Sequence, residues 1–223
     1  MNFMESEFPK EYKKGFAKFL GLEIDLSQRP LIPRPETAFW VKAAIKEIKK
    51  EDKRKIECLD IFSGSGCIGL AVLAKVENVF CDFGDVDAKS IKQIKINLKI
   101  NGLEKKRSKV IETDVFSKIK KKYDYILANP PYIAESRFHL IQPSARAFEP
   151  MIALDGKKEG MFFIDKFLKQ AKNFLKPAGK IFMEFDFYQK KELEKALEKY
   201  GWQDYKIYKD QLGRERFVKI INI

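Results

Sequence analysis

Residues 56–71, IECLDIFSGSGCIGLA, contain the pattern that decides the fold. The run IECLDIF is typical of a buried strand, and the apolar stretch after the glycines predicts a helix. Between them, Gly64, Gly66 and Gly69 have the GxGxxG spacing. Glycines let a backbone turn tightly and approach a ligand closely, and the amino terminus of a helix offers unpaired N–H groups. The segment therefore predicts a ligand-binding turn; a tight turn without a ligand is the alternative.

Strand and helix patterns alternate on the carboxyl side of this turn. NVFCDFGDV, SKVIET, YDYILA and KIFMEF have strand patterns, and helix patterns cover 88–101, 160–175 and 189–200. The last two strand candidates, WQDYKIYK and ERFVKIINI, have no helix between them. This order predicts an α/β fold with a mostly parallel seven-stranded sheet, helices on both faces and an antiparallel C-terminal hairpin. The range 129–159 is expected to be a long loop, a length that is typical of a functional segment.

The first 33 residues are predicted to form an extension. Residues 5–20 have the pattern of a short, basic, amphipathic helix, and 21–31 that of a strand or hairpin. The segment PLIPRPET (30–37) cannot be helical throughout, because proline fixes φ and lacks an N–H group. A helix is expected to start at Pro35 and Glu36. We therefore expect an extension over 1–33 and a main domain over 34–223.

Composition limits the class of protein. The 223 residues are 45% hydrophobic and 34% charged, which predicts a soluble protein with a full core. The sequence shows no run of eighteen apolar residues and no apolar segment near residue 1, so we expect neither a membrane span nor a secretory signal. Three cysteines without a CxxC pair and a single histidine argue against a disulfide framework or a metal site. They fit a reducing cytoplasm.

The net charge of +12 invites a search for an anionic partner. One predicted helix carries lysines on a single side, at positions 89, 92, 95 and 99. Such a pattern is typical of a solvated helix face, which is the reading we favour. A ribosome, an RNA-bound protein or direct binding to RNA is the alternative.

Acidic residues follow the second and third predicted strands. Asp85 lies about twenty residues beyond Gly64, where a carboxylate can accept hydrogen bonds from both hydroxyls of a ribose. Asp114 follows the third strand, where a carboxylate could accept from an adenine amino group. Asp87 competes with Asp85 for the first role, and Asp60 is expected to support the glycine turn. Both NAD and S-adenosylmethionine would suit this arrangement.

The tetrapeptide Asn129-Pro130-Pro131-Tyr132 follows the fourth predicted strand, at the end where open α/β sheets bind ligands. The Asn129 side-chain oxygen and the Pro130 carbonyl could hold the two N–H groups of a planar nitrogen and aim its lone pair at a methyl group. Tyr132 could stack on that planar group. Methyl transfer from a sulfonium depends mainly on positioning and needs no strong general base. A rigid turn is the structural alternative, and His139 is expected to have no catalytic role.

These residues resemble the release-factor glutamine methyltransferase (HemK-type) family over roughly residues 19–223. The motifs that carry the resemblance are LIPRPET (31–37), SGSGCIGLA (63–71), Asp85 with Asn97, NPPY (129–132), FEPMIALDGKKEGMFF (148–163), KPAGKIFMEF (176–185) and KDQLGRERFV (209–218). The family usually has an N-terminal helical domain that helps to grip the release factor. Only about eighteen residues precede the match, so we expect this sequence to lack that domain.

The resemblance implies a class I S-adenosylmethionine-dependent methyltransferase fold, with 34–223 as the catalytic domain. Cofactor binding is implied for Ser63, Gly64, Ser65, Gly66, Asp85, Val86, Asp114, Val115 and Asn129. Acceptor binding is implied for Asn129, Pro130, Pro131 and Tyr132, of which Asn129, Pro130 and Tyr132 are the catalytic candidates. The resemblance also implies that Arg34, Pro35, Glu36 and Thr37 lie over the active site. The alternative interpretation of this stretch is an ordinary helix start.

The implied reaction is methylation of a glutamine side-chain amide, with a peptide chain release factor as the first candidate substrate and a ribosomal protein as the second. Methylation of adenine N6 in rRNA or DNA is the alternative, because other enzymes share NPPY. That reaction needs a flipped base and a recognition segment, and the sequence offers no obvious candidate for the latter. A non-catalytic cofactor-binding module and a nicotinamide dehydrogenase are further alternatives.

Overall fold

The computed structural model describes residues 8–103 and 106–223, and the described chain begins with a short helix and a hairpin. Helix α1 (Lys10–Lys14) is followed by strands β1 (Phe16–Phe19) and β2 (Leu22–Asp25), which pair antiparallel. The predicted helix over 5–20 is therefore wrong beyond residue 14, and residues 5–7 lie outside the described range. Gly15 ends the helix because its φ of +80° is left-handed, which glycine adopts at little cost. The predicted hairpin is present, although it begins at residue 16.

The main part of the chain alternates between strands and helices as the sequence predicts. Its elements are α2 (Pro35–Ile48), β3 (Ile56–Ile61), α3 (Cys67–Lys75), β4 (Val79–Asp85), α4 (Ala88–Ile100), β5 (Ser108–Glu112), β6 (Tyr123–Ala128), α5 (Pro143–Phe148), α6 (Met151–Leu154), α7 (Phe162–Ala171), β7 (Leu175–Glu184), α8 (Lys190–Lys199), β8 (Asp204–Lys209) and β9 (Glu215–Ile221). Pro35 starts α2 at the position where a missing N–H group costs nothing.

Seven strands form the central sheet in the order β5-β4-β3-β6-β7-β9-β8. The five strands from β5 to β7 are parallel, and β9 runs antiparallel to both of its neighbours. The predicted fold class, a mostly parallel sheet with an antiparallel C-terminal hairpin, is confirmed. The strand order reverses between β3 and β6, and ligands bind at such a switch point in open α/β sheets.

Two apolar clusters cover the two faces of the sheet. One contains residues of the hairpin, α2, α3 and α4, including Trp40, Leu70 and Ile94. The other contains residues of α7 and α8, including Phe167 and Leu193. Helices thus lie on both faces, and the hairpin shares the core of the first cluster. The boundary predicted at residue 33 stays a prediction.

The segment 129–159 differs from the predicted loop. It contains a 3₁₀ turn at Glu135–Leu140 and the short helices α5 and α6. An isolated bridge between Ile133 and Asp155 brings its two ends together. Sequence periodicity does not predict these helices because each has six residues or fewer, too short for a periodic pattern to be recognised.

Within residues 8–103 and 106–223, no helix has the length and apolar character needed to cross a membrane.

Candidate active site

A cleft opens at the carboxyl ends of β3, β4 and β6. Ligands bind at this position in open α/β sheets. Its walls come from the glycine turn, the ends of β4 and β5, the NPPY turn, the segment before α2 and the start of α6; they include Arg34, Thr37, Ser63, Gly64, Ser65, Asp85, Val86, Asp114, Val115, Asn129 and Pro131. The topology thus brings together residues that are far apart in the chain.

The turn after β3 has the shape that its glycines predict. Gly64 and Gly66 have φ values of +53° and +79°, which side-chain-bearing residues rarely adopt. A Cβ atom built on Gly64 would meet nothing within 4 Å, so open space adjoins the turn there. A Cβ atom on Gly69 would overlap the Phe83 ring, so this glycine lets α3 pack closely against β4. The first two glycines therefore serve the turn, and the third serves packing.

Hydrogen bonds made by Asp60 and Ser63 stabilise the glycine turn. The Asp60 carboxylate accepts a hydrogen bond from the Gly69 N–H at 2.9 Å. The Ser63 hydroxyl lies 2.7 Å from the Asp60 carbonyl and 3.0 Å from that of Gly84. Burial raises the pKa of Asp60 well above its usual value, and its Oδ1 atom has no partner among the described residues. The expectation that Asp60 supports the turn agrees with these contacts.

The Asp85 carboxylate lies at the end of β4 and faces the glycine turn. It accepts hydrogen bonds from the Gly64 N–H at 2.8 Å and from the Asp87 N–H at 2.9 Å. Burial raises its pKa, and these backbone N–H groups oppose that shift. Each carboxylate oxygen has further lone pairs that could accept a hydroxyl group. Asp87 instead caps α4 by accepting from Lys89 and Ser90, so its side chain is already used.

Asp114 lies at the cleft edge and is paired with a lysine. Its Oδ2 atom is 2.6 Å from Nζ of Lys166, and half of its side chain is exposed. If Asp114 accepts from an adenine amino group as predicted, its carboxylate would bind that group and Lys166 at the same time. Val86 and Val115 contribute apolar surface to the same part of the cleft.

The NPPY turn presents two unused acceptors. Asn129 and Pro131 line the cleft. Among the described residues, no group bonds the Asn129 side chain or donates to the Pro130 carbonyl. Tyr132 does not line the cleft; its hydroxyl donates to Glu184 at 3.0 Å, and its carbonyl accepts from Gln189 at 2.8 Å. Burial raises the pKa of Tyr132 far above its usual value.

The segment before α2 and the first turn of α2 form one wall of the cleft, through Arg34 and Thr37 respectively. The Arg34 guanidinium lies 2.5 Å from the Glu149 carboxylate, which also accepts from the Ile32 N–H at 3.4 Å. Burial raises the pKa of Glu149, and the Arg34 charge opposes that shift. This pair joins the segment before α2 to the short connection between α5 and α6. Arg34 therefore shapes the wall while part of its charge is already neutralised.

Some predicted site residues do not reach the cleft. Those absent from its walls are Pro35, Glu36, Gly66, Pro130 and Tyr132. Gly66 instead caps α3, and Tyr132 packs behind the turn. Sequence reasoning assigned no role to Glu184 or Gln189, the two residues that hold Tyr132. A charged residue within the apolar run KIFMEF is the available signal for Glu184; Gln189 has none.

Comparisons with known proteins agree with this geometry. Residues 42–147 match the family model described as Methyltransferase small domain. The release factor glutamine methyltransferase of Clostridium botulinum is 31% identical over 98% of this chain and 77% of its own length. The corresponding protein of Fusobacterium nucleatum is 32% identical over 94% of this chain, which spans 59% of that relative.

Solved structures show the same fold. A methyltransferase from Pyrococcus furiosus covers 100% of this chain and 99% of its own, with a TM-score of 0.61 and 16% identity. A 16S rRNA methyltransferase from T. thermophilus, in complex with AdoMet and guanosine, covers 93% of this chain and 50% of its own, with a TM-score of 0.64 and 17% identity. The strand order, the cleft and the identity to curated relatives agree: the chain belongs to the release factor glutamine methyltransferase family and is an S-adenosylmethionine-dependent methyltransferase.

Proposed function

We propose that this protein transfers a methyl group from S-adenosylmethionine to the side-chain amide nitrogen of a glutamine in a protein, and that the protein is a peptide chain release factor. One observation carries the proposal. The Asn129 side chain has no partner among the described residues and lines the same cleft as Asp85 and the glycine turn. An acceptor held by Asn129 would thus share the cleft with the cofactor.

The residues of the cleft fit the cofactor. The Asp85 carboxylate is oriented by two backbone N–H groups and retains capacity for ribose hydroxyls. The open space beside Gly64 lets a ligand approach the backbone closely. When bound, S-adenosylmethionine supplies a methyl group attached to a positively charged sulfur. We assign the binding of its adenosyl part to Ser63, Gly64 and Ser65, to Asp85 and Val86, and to Asp114 and Val115.

The acceptor chemistry follows from the groups of the NPPY turn. A planar amide nitrogen has two N–H groups and a lone pair that is delocalised into its carbonyl. Asn129 lines the cleft, and its side-chain oxygen can accept one of those N–H groups. We assign the second N–H group to the Pro130 carbonyl, which is not part of the cleft wall but has no donor among the described residues. Proline at 130 and 131 removes two competing donors and restricts the backbone. Positioning of this kind can supply roughly 7–11 kcal/mol in the best cases.

The substrate class rests on the relatives. Two proteins named release factor glutamine methyltransferase are 31% and 32% identical over 98% and 94% of this chain. A release factor is therefore the first candidate and a ribosomal protein the second. Either substrate would place the protein in the cytoplasm with the translation machinery.

Transfer of labelled methyl groups tests this proposal. The protein is incubated with labelled S-adenosylmethionine and, separately, with a release factor, total RNA or DNA. We expect label in the release factor alone, and its loss in Asn129→Ala with cofactor affinity retained. Asn78→Ala is the matched control, because Asn78 bonds the Lys53 carbonyl far from the cleft.

The remaining outcomes separate the alternatives. Label in RNA or DNA but not in protein would refute glutamine methylation and favour adenine-N6 methylation. Equal turnover by Asn129→Ala and the wild-type protein would refute the role of Asn129.

A further inference from the structure

Glu184 is a buried carboxylate that joins two walls of the cleft. It ends β7 and is 1% exposed. Its Oε2 atom accepts from the Thr37 hydroxyl and from the Trp40 indole N–H, both at 2.7 Å. Its Oε1 atom accepts from the Tyr132 hydroxyl at 3.0 Å. One side chain therefore contacts the first turns of α2 and the end of the NPPY turn.

This carboxylate lacks the partner that buried charges usually have. Among the described residues, no cation forms an ion pair with Glu184. Arg216 is close enough to affect it electrostatically, but its guanidinium is paired with Asp210 at 3.1 Å. Burial raises the pKa of Glu184, and the donated hydrogen bonds and the Arg216 charge oppose that shift. A buried carboxylate without an ion pair costs stability, and such groups concentrate at functional sites.

The groups that Glu184 holds belong to the acceptor side of the cleft. Thr37 lines the cleft directly. Tyr132 ends the turn whose residues Asn129 and Pro131 line it from the other side. Gln189 fixes the Tyr132 carbonyl, so this tyrosine is restrained at both its hydroxyl and its backbone. Moving the Glu184 carboxylate would therefore release the tyrosine ring and the start of α2 together.

We propose that Glu184 is a positioning residue of the acceptor site, whose carboxylate holds Thr37, Trp40 and Tyr132 in one arrangement and thereby fixes the turn that begins at Asn129. The inference rests on the proposed function, because the acceptor is the amide that this turn would hold. Glu184 is not part of the cleft wall, so its proposed effect is exerted through Tyr132 and α2.

Tryptophan resonances test the contact network without any substrate. The sequence contains two tryptophans, Trp40 and Trp202, and the Trp202 indole donates to the Leu168 carbonyl at 3.1 Å. In Tyr132→Phe, Glu184 loses one donor, so we expect the Trp40 indole N–H resonance to shift and its hydrogen exchange to quicken. The Trp202 resonance should not move.

Tyr123→Phe is the matched control. Tyr123 begins β6, and its hydroxyl donates to the Asp82 carboxylate at 2.9 Å, so the same chemical group is removed at the other end of the strand. The Trp40 resonance should not respond to this change. No response to Tyr132→Phe, or an equal response to Tyr123→Phe, would overturn the proposed network.

Kinetics test the positioning role. In Glu184→Gln the side-chain oxygen can accept from Thr37 and Trp40 while its NH₂ group donates to the Tyr132 hydroxyl. Glu184→Met removes every acceptor. We expect Glu184→Met to lower kcat/KM for the release factor about 100-fold, the scale of a misplaced reacting group, and Glu184→Gln to recover most of that loss. Cofactor affinity by calorimetry should stay unchanged in both.

A purely structural role predicts a different result. If Glu184→Met lowers Tm but leaves kcat/KM per folded molecule unchanged, the proposal is wrong. If that variant does not fold, the tryptophan resonances of Tyr132→Phe still decide the question. A wild-type protein that fails to methylate a release factor would refute the proposed function alone, because the resonances require no substrate.

Discussion

The pKa values of carboxylates shift in opposite directions at the two ends of the central sheet. At the carboxyl ends of the strands, burial raises the pKa values of Asp60, Asp85 and Glu184. At the amino ends, lysines surround the carboxylates. There Asp124 accepts from Lys53 at 2.9 Å and from Lys176 at 2.8 Å.

The pKa values at the amino ends shift downward. Burial opposes this shift for Asp124, but hydrogen bonds from Lys176, the Glu57 N–H and Lys53 outweigh it. Glu47 follows the same pattern with Lys219 and Lys180. Carboxylates that are stabilised in their charged form add to the stability of the fold.

This difference in pKa shifts indicates that carboxylates at the amino ends of the strands serve stability and that those at the cleft end serve function. Ion pairs at the amino ends tie α2, β3, β6, β7 and β9 together. At the cleft end, Asp60, Asp85 and Glu184 are instead bonded by neutral N–H and O–H groups, an arrangement that costs stability. Substitutions at the cleft end should therefore impair binding and turnover, and those at the amino end should impair folding.

The largest expected effect is on cofactor affinity at the cleft end. Asp85→Ala removes the carboxylate assigned to the ribose and should weaken S-adenosylmethionine binding about 10- to 100-fold, since hydrogen bonds to charged groups contribute roughly 1.5–3 kcal/mol. Calorimetric titration measures this change. Asp87→Ala is the control, because it removes a helix cap worth about 1 kcal/mol of stability and should leave affinity unchanged. A greater loss of affinity in Asp87→Ala would reverse the assignment.

The next effect is on stability at the amino end. Asp124→Ala leaves Lys53 and Lys176 without this partner and should lower the free energy of unfolding by about 2 kcal/mol, less than for a fully enclosed pair because both lysines reach solvent. Urea denaturation measures it, and kcat/KM of the folded protein should not change. A loss of turnover without a loss of stability would contradict the division between the two ends.

Acidification should affect the two ends with opposite signs. The folded-state pKa of Asp124 is lowered, so its contribution to stability is present above its unfolded value of about 4 and is lost as pH falls through the folded value. The pKa of Glu184 is raised, so its contribution is present below the unfolded value and is lost as pH rises through the folded value. In denaturation across a pH series, the loss of stability at acid pH should therefore be smaller in Asp124→Asn than in the wild-type protein, while other carboxylates with lowered pKa values, such as Glu47, keep part of it. In Glu184→Gln, the loss of stability as pH rises should be smaller instead; identical profiles in both variants would contradict this account.

The smallest effect is expected at an exposed pair within the amino-end network. Lys55 lies 2.8 Å from Glu57 and is 53% exposed. Lys55→Gln should change the free energy of unfolding by less than about 0.5 kcal/mol, because solvent screens such pairs. A change as large as that in Asp124→Ala would show that the contribution of an ion pair to stability does not depend on its exposure to solvent.

Much of the architecture could be predicted from local pattern. The glycine turn, the alternating strands and Asp85 are each encoded within a short stretch, so periodicity and spacing are sufficient to find them. The predicted helix over 5–20 extends too far because an amphipathic basic pattern also fits the short strand β1 after Gly15. The predicted loop over 129–159 omits helices α5 and α6 because they are too short to show a period.

The network around Glu184 could not be predicted in the same way. Its partners Thr37 and Trp40 lie 147 and 144 residues away in the chain, and Tyr132 lies 52 residues away. These contacts exist because β6 and β7 are neighbours and α2 packs over their ends. The sequence identifies NPPY as a motif, but only the topology shows what holds its tyrosine.

One measurement tests the central claim most directly: tandem mass spectrometry of a release factor after incubation with S-adenosylmethionine and this protein. The account predicts a single methyl group on the side-chain amide of one glutamine with the wild-type protein, and an unmodified release factor with Asn129→Ala. A methyl group on another type of residue, or the same modified glutamine with Asn129→Ala, would contradict it.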